Sequence, residues 1–258
     1  KIPWNETEAG HFEVDLVHHC GEAATGDYVH TIQMVDVATG WCEIAAVMGR
    51  SYRVMKNGFD FMLSRLPIPV AEIHPDNGSE FFNQHLLRFW KQAMVNVEIT
   101  RSRPYQKNDN RFIEENNHSL IRAYIGHDRF DTQEQLKAIR QLYEHLWLYH
   151  NFFQPVMRLQ EKIYRNEFQY QHKYDQAKTP YDRLKAKNVL NKNLMKQLDD
   201  LRAQTKPISL REQIDLPITR WLSRPVFDKS ESVNIIETLI HEADISVTLS
   251  NDLTITVR

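Results

Sequence analysis

The sequence predicts an α/β fold: a mixed five-stranded sheet flanked by helices, followed by a helical C-terminal extension. Three observations lead there. Residues 12–47 hold three β-prone runs joined by short turns, the pattern of an antiparallel meander. Residues 51–153 then alternate helix-period and strand-type segments, which places helices against a sheet. After Phe153 the chain turns polar, rich in Gln, Tyr, Lys and Arg.

Taken in order, Phe12 to Cys20 is an apolar strand interrupted by Asp15, and Gly21 and Gly26 mark the loop after it. Tyr28 to Val37 is a second strand and Trp41 to Val47 a third, with turn chemistry from Asp36 to Gly40 between them. Ser51 is a fitting N-cap for a helix carrying Val54, Phe59, Met62, Leu63 and Leu66, which ends before Pro67. Val70 to Ile73 forms a fourth strand that delivers Asp76 at its tip. Ser79 to Met94 is a helix, Val95 to Thr100 a fifth strand, and Arg101 to Asp109 a polar loop. A helix bearing Glu114 follows, to about Ile125. Asp131-Thr132 caps another, with Leu136, Ile139, Leu142, Leu146 and Tyr149 on one side. Residues 154–182 read as an extended arm, Leu184 to Ala203 as one Lys-rich helix, and Ile245 to Val257 as a small hairpin. The expected division is 1–153 as the core, 154–206 as a basic arm and helix, and 207–258 as a tail with a helix and hairpin.

Size and composition bound the function. The chain has 258 residues, 41% of them hydrophobic, enough for one substantial domain with an appendage. No apolar run approaches the roughly 18 residues a membrane span requires, so no membrane partner is expected. The beginning, Lys1-Ile2-Pro3-Trp4, lacks Met and a signal-type apolar run, so the chain is expected to be a fragment. Cys20 and Cys42 are too few for a disulfide framework, which favours a reducing compartment. His18, His19 and Cys20 are read as strand-end residues rather than a metal site. The net charge of −2 does not advertise a nucleic-acid binder. Its distribution does permit a cationic face, with acids early and Arg101, Arg103, Lys107 and Arg111 later.

Three acids stand out. Asp15 lies between Val14 and Leu16, where an unpaired carboxylate loses hydration that nothing replaces. Asp76 sits where a strand gives way to an Asn-Gly turn, a common position for a functional side chain. Glu114 lies on a helix with Asn117 one turn later, and Glu115 is its competitor one residue around. Taken singly, each has an ordinary structural reading: a bonded strand residue, good turn sequence, a solvated helix residue. Together, two Asp and one Glu form an all-oxygen set suited to Mg²⁺ or Mn²⁺ rather than Zn²⁺. Two such ions about 4 Å apart clamp an in-line attack at a phosphodiester.

These residues carry a family resemblance. An early strand Asp, the segment Asp76-Asn77-Gly78-Ser79-Glu80-Phe81 and a Glu 38 positions after Asp76 resemble the DDE core of retroviral integrases and insertion-sequence transposases. Lys107-Asn108-Asp109 before Ile113-Glu114-Glu115 and Asn117 is closest to the insertion-sequence side. Asp36-Val37-Ala38-Thr39-Gly40-Trp41, Arg101-Ser102-Arg103-Pro104-Tyr105, and Lys173-Tyr174-Asp175 with Thr179-Pro180-Tyr181 fit too. Pro75 departs from the family's Ser or Thr, and Glu115 from its Gln. Neither removes a ligand.

The resemblance implies an RNase H-like fold with Asp15, Asp76 and Glu114 as catalytic metal ligands for two Mg²⁺ or Mn²⁺ ions. It implies end nicking and DNA strand transfer on element ends and target duplex, by a homo-oligomer in a bacterial cytoplasm. Arg103, Tyr105, Lys107, Asn108, Asn117 and Arg122 are expected to hold the DNA, because cations and amides commonly contact phosphate. The rival readings are an RNase H-type nuclease, which would cut RNA–DNA hybrids, and an inactive DNA-binding or assembly factor.

Overall fold

The computed structural model describes residues 6–75, 90, 97–100, 111–166, 169–222, 233–241, 247 and 249. Its centre is a five-stranded sheet in the order β3-β2-β1-β4-β5. The strands are β1 (His11–His18), β2 (Val29–Asp36), β3 (Cys42–Met48), β4 (Glu72–Pro75) and β5 (Glu98–Ile99). β1–β2 and β2–β3 pair antiparallel, whereas β1–β4 and β4–β5 pair parallel. This is the mixed, RNase H-like arrangement expected: a meander that becomes parallel once a helix intervenes.

The two-residue period of β1 sorts its side chains. Phe12, Val14 and Leu16 join one core cluster with Ile32, Met34, Val47 and α1 (Tyr52–Ser64). Gly58 of α1 lets the helix approach the sheet, since a Cβ there would stand 2.5 Å from Ile32 Cδ1. Val17 joins a second cluster on the opposite face with Val29, Val35, Ile44, Ile113 and Ile121. That second face also carries Glu13 and Asp15.

The Glu114 segment is continuous helix in three parts: α2 (Arg111–Asn116), a π segment (Asn117–Arg122) and α3 (Ala123–Ile125). α4 (Gln133–Phe153) starts with the expected cap. Thr132 Oγ1 accepts from Gln135 N–H, and Gln135 Oε1 accepts from Thr132 N–H. Leu136, Ile139, Leu142 and Leu146 are buried as predicted, while Tyr149 is half-buried.

α4 also seals the outer edge of β3. Asn151 accepts from Cys42 N–H and donates to Cys42 O, both at 2.9 Å. Arg140 donates to Ala46 O, and Arg65 at the end of α1 donates to Ile44 O.

Two expectations beyond Phe153 are corrected. The stretch read as an extended arm contains an antiparallel ribbon, β6 (Leu159–Asn166) with β7 (Gln169–Tyr174), forming a second sheet. Its strands mix polar and apolar residues without regular alternation, so no hydropathy period revealed it. The single helix expected from Leu184 to Ala203 is two, α5 (Pro180–Ala186) and α6 (Lys192–Gln204). Between them Asn188 takes a left-handed φ of 55°, which Asn tolerates and which ends a helix. α7 (Pro207–Leu222) begins on a proline, where no amide hydrogen is needed. The hairpin expected over 245–257 lies outside the described residues, apart from 247 and 249.

Candidate active site

Asp15 and Glu114 come from elements that touch directly. The helix lies along β1 and is fastened to it at three places. The N–H of Ile113 donates to Glu13 Oε2 at 2.9 Å. Asn117 Nδ2 donates to Asp15 Oδ2 in a short bond. Arg122 Nη2 donates to His18 O at 2.7 Å, and its Nη1 to Gly126 O at 3.0 Å. Glu114 and Asn117, three residues apart, share one side of the helix. Glu114 is exposed, and its charge is felt at Glu13.

Local sequence explains the docking. Ile113, Leu120 and Ile121 are buried in the second core cluster and turn the polar side of the helix toward the end of β1. The π segment begins at Asn117, one turn after the catalytic candidate. Such wide turns are frequent at functional sites.

Glu13 is the neighbour that sequence reading passed over. It is 2% exposed and stands two residues before Asp15, so both project from one face of the strand. Burial pushes its carboxyl up to about 7, despite the amides of Ile113 and Phe112 and the nearby Arg158 guanidinium. The period-two rule that buried Val14 and Leu16 on one face was the signal that placed Glu13 beside Asp15.

The expected residues divide plainly. Asp15, Glu114, Asn117 and Arg122 are brought to one strand–helix junction. Asp76 lies outside the described residues, as do Arg103, Tyr105, Lys107 and Asn108, although β4 ends at Pro75 beside β1. Arg122 differs from the reading given it, because two of its nitrogens already bond backbone carbonyls of its own chain. Glu115 is exposed and lines a cleft of about 90 Å³ with Asn116, Ser119, Met157 and Tyr174, between the helix and the root of the ribbon.

Among the described residues no group of three His, Cys, Asp or Glu side chains is gathered as metal ligands. The donors present nonetheless suit a hard cation. Asp15 is only half-buried, and Asn117 Oδ1 is buried without a hydrogen-bond partner among the described residues. An orphaned amide oxygen beside a carboxylate is oxygen chemistry, matched to Mg²⁺ or Mn²⁺.

Two further stretches of the sequence pattern hold structure rather than chemistry. Buried Asp36 accepts from Gly10 N–H and Thr39 N–H at 2.8 Å each and from Thr39 Oγ1 at 2.6 Å, tying the β2–β3 turn. Asp175 pairs with Arg183, and its Oδ1 accepts from Arg158 N–H at 2.7 Å, closing the ribbon root.

Residues 6–107 match the family described as Integrase core domain. That span includes Asp15 and Asp76, and Glu114 lies beyond it. The chain is 35% identical over 159 residues to "Uncharacterized protein y4rM" of Sinorhizobium fredii (strain NBRC 101917 / NGR234), covering 62% of this chain. It spans 45% of that relative's length. Among solved structures, the catalytic core domain of BIV integrase is similar at 16% identity with a TM-score of 0.40, over 56% of this chain and 84% of that one. The family match over residues 6–107, together with a sheet of two antiparallel and two parallel pairings, supports a DDE integrase/transposase-like domain within this chain.

Proposed function

We propose that this chain is the catalytic region of a metal-dependent DNA transposase or integrase. It would nick the ends of an element and join the freed 3′-hydroxyl to a target phosphodiester by in-line attack. The observation that supports this best is the fastening of the Glu114 helix to the strand of Asp15 through Asn117. Packing alone does not require a half-buried carboxylate on a strand to be bonded by an amide one turn from Glu114.

Asp15, Asp76 and Glu114 are the residues that would hold two divalent ions. Bound there, such ions supply activation of the attacking hydroxyl and stabilisation of the leaving oxygen. Asn117 sets the plane of the Asp15 carboxylate. Arg103, Tyr105, Lys107, Asn108 and the remaining face of Asn117 steady the DNA backbone, whereas Arg122 serves first to pin the helix. Because two DNA ends are joined, the working form is a homo-oligomer on duplex DNA. The catalytic core is taken to end at Phe153, and the helices of residues 154–206 pack back on it through Tyr181, Leu184, Leu194 and Leu198.

A strand-transfer assay with candidate end sequences and Mg²⁺ tests the proposal. Wild-type protein should join ends to target, and Asp76→Asn should not, while remaining folded by circular dichroism. Wild-type activity in Asp76→Asn would reject the acidic set. Cleavage of RNA–DNA hybrid without end joining would instead favour a nuclease. Lys107→Ala and Arg103→Ala should each flatten the salt dependence of DNA binding by about one unit of slope.

A further inference from the structure

We propose that Glu13 is a positioning residue: its buried carboxylate fixes the amino end of the helix that carries Glu114, and so sets where Glu114 stands relative to Asp15. The inference rests on the strand-transfer reading given above, and it assigns a part to a fourth acid outside the ligand set.

The geometry is that of a matched ladder. Along β1, Glu13 and Asp15 are two residues apart, about 6.6 Å at the usual strand rise. Along the helix, Ile113 and Asn117 are four residues apart, about 6.0 Å at the usual helical rise. The two spacings agree closely enough that both bonds form together. A one-residue slip of the helix would break both and swing Glu114 by about 100° around the axis.

The first amides of a helix have no partner within it, and Glu13 supplies one. A carboxylate near this end is also favoured by the helix dipole. Neighbouring contacts hold the same end from the other side. Arg158 stacks over the Phe112 ring at 4.4 Å and donates from Nη2 to Asp36 O at 3.0 Å. Gly40, with a φ of +79°, leaves room for that guanidinium, since a Cβ there would lie 2.9 Å from its Nη2. The amino end of the helix is therefore set between Glu13 and Arg158 before any DNA or ion arrives.

Two neutral variants of similar volume isolate the contact. Glu13→Gln keeps an acceptor oxygen, and Glu13→Met removes it. Three quantities are read on the full chain: amide exchange at Ile113, Mn²⁺ affinity by electron paramagnetic resonance without DNA, and the Mg²⁺ dependence of strand transfer. In Glu13→Met, Ile113 should exchange at least about tenfold faster, and metal affinity should weaken roughly 10- to 100-fold, as for other residues that orient ligands. Glu13→Gln should restore both to near wild type.

Unchanged Ile113 exchange in Glu13→Met would overturn the proposal. So would faster exchange with unaltered Mn²⁺ affinity, which would make Glu13 a core contact only. Equal defects in the Met and Gln variants would overturn it as well, because the acceptor would not be the cause. A measurement on wild-type protein alone covers the case of a variant that does not fold: saturating Mn²⁺ should slow Ile113 exchange several-fold, and no change would count against the proposal. Wild-type protein that neither binds Mn²⁺ nor joins DNA would instead remove the strand-transfer reading, and this proposal with it.

Discussion

Two buried carboxylates, on β3 and on β1, face the same physical problem and meet it differently. Glu43 on β3 accepts from Trp41 Nε1 at 2.8 Å, Trp147 Nε1 at 2.9 Å and Arg65 Nε at 2.6 Å. Arg65 in turn reaches Glu144 and Ile44 O, so the network closes on itself. On β1, the acids Glu13 and Asp15 accept instead from neutral donors, the Ile113 N–H and the Leu16 N–H with the Asn117 amide. Glu13 leans on backbone amides, and Asp15 on an amide side chain whose own oxygen is left over. A closed network rigidifies a protein and needs nothing further. A buried amide oxygen left over beside a carboxylate, as at Asn117, is a place a hard cation could complete.

The comparison can be broken first at the ligands. Asp15→Asn should cut DNA strand transfer by roughly a thousandfold or more, since the ions it would help hold contribute several kcal/mol to the transition state. Its stability, read by urea denaturation, should change little, because the substitution also lowers like-charge repulsion beside Glu13 and Glu114. Arg65→Met should do the reverse. It leaves the buried Glu43 with two indole N–H donors but no counter-charge and should cost about 3–5 kcal/mol in the same denaturation experiment, with activity lost only as folding is lost.

Acid sharpens the contrast at a third place. Burial pushes His19 down to about 3, from 6.5, so it is neutral in the folded protein. The unfolded chain binds that proton below about 6.5, and stability present above that pH falls as the solution is acidified. By pH 5 the loss from His19 should be about 2 kcal/mol, measured as the pH dependence of the urea midpoint. His150, also held down by burial, acts in the same direction. Asn151→Ala should cost about 1–3 kcal/mol, because both the N–H and the carbonyl of Cys42 lose their partner. Smallest of all, Arg202→Gln should move stability by less than about 1 kcal/mol, since its pair with Asp182 is substantially exposed.

Much of the fold was legible because its elements obey simple periods. The β1–β3 meander, α1 and the Thr132-capped α4 follow from alternation, helical spacing and a capping box. The ribbon was hidden because its two strands, LQEKIYRN and QYQHKY, carry no regular alternation of polar and apolar residues. The break at Asn188 was hidden because Val189 and Leu190 continue the apolar stripe, although Val189 is 45% exposed. At the site, Asp15 and Glu114 were singled out by their residue types, whereas Asn117 was expected to hold DNA and its bond to Asp15 was not anticipated. Glu13 was missed because sequence shows a charge but not its burial. The engagement of Arg122 was missed because backbone carbonyls leave no mark in a sequence.

The sealed edge of β3 reaches beyond this domain. An outermost strand ordinarily offers a free row of amides and carbonyls on which a second molecule can lay its own backbone. Here the amide and carbonyl of Cys42 and the carbonyls of Ile44 and Ala46 are already answered by Asn151, Arg65 and Arg140. At this edge an approaching strand would meet arginine and asparagine side chains in place of a free row of carbonyls.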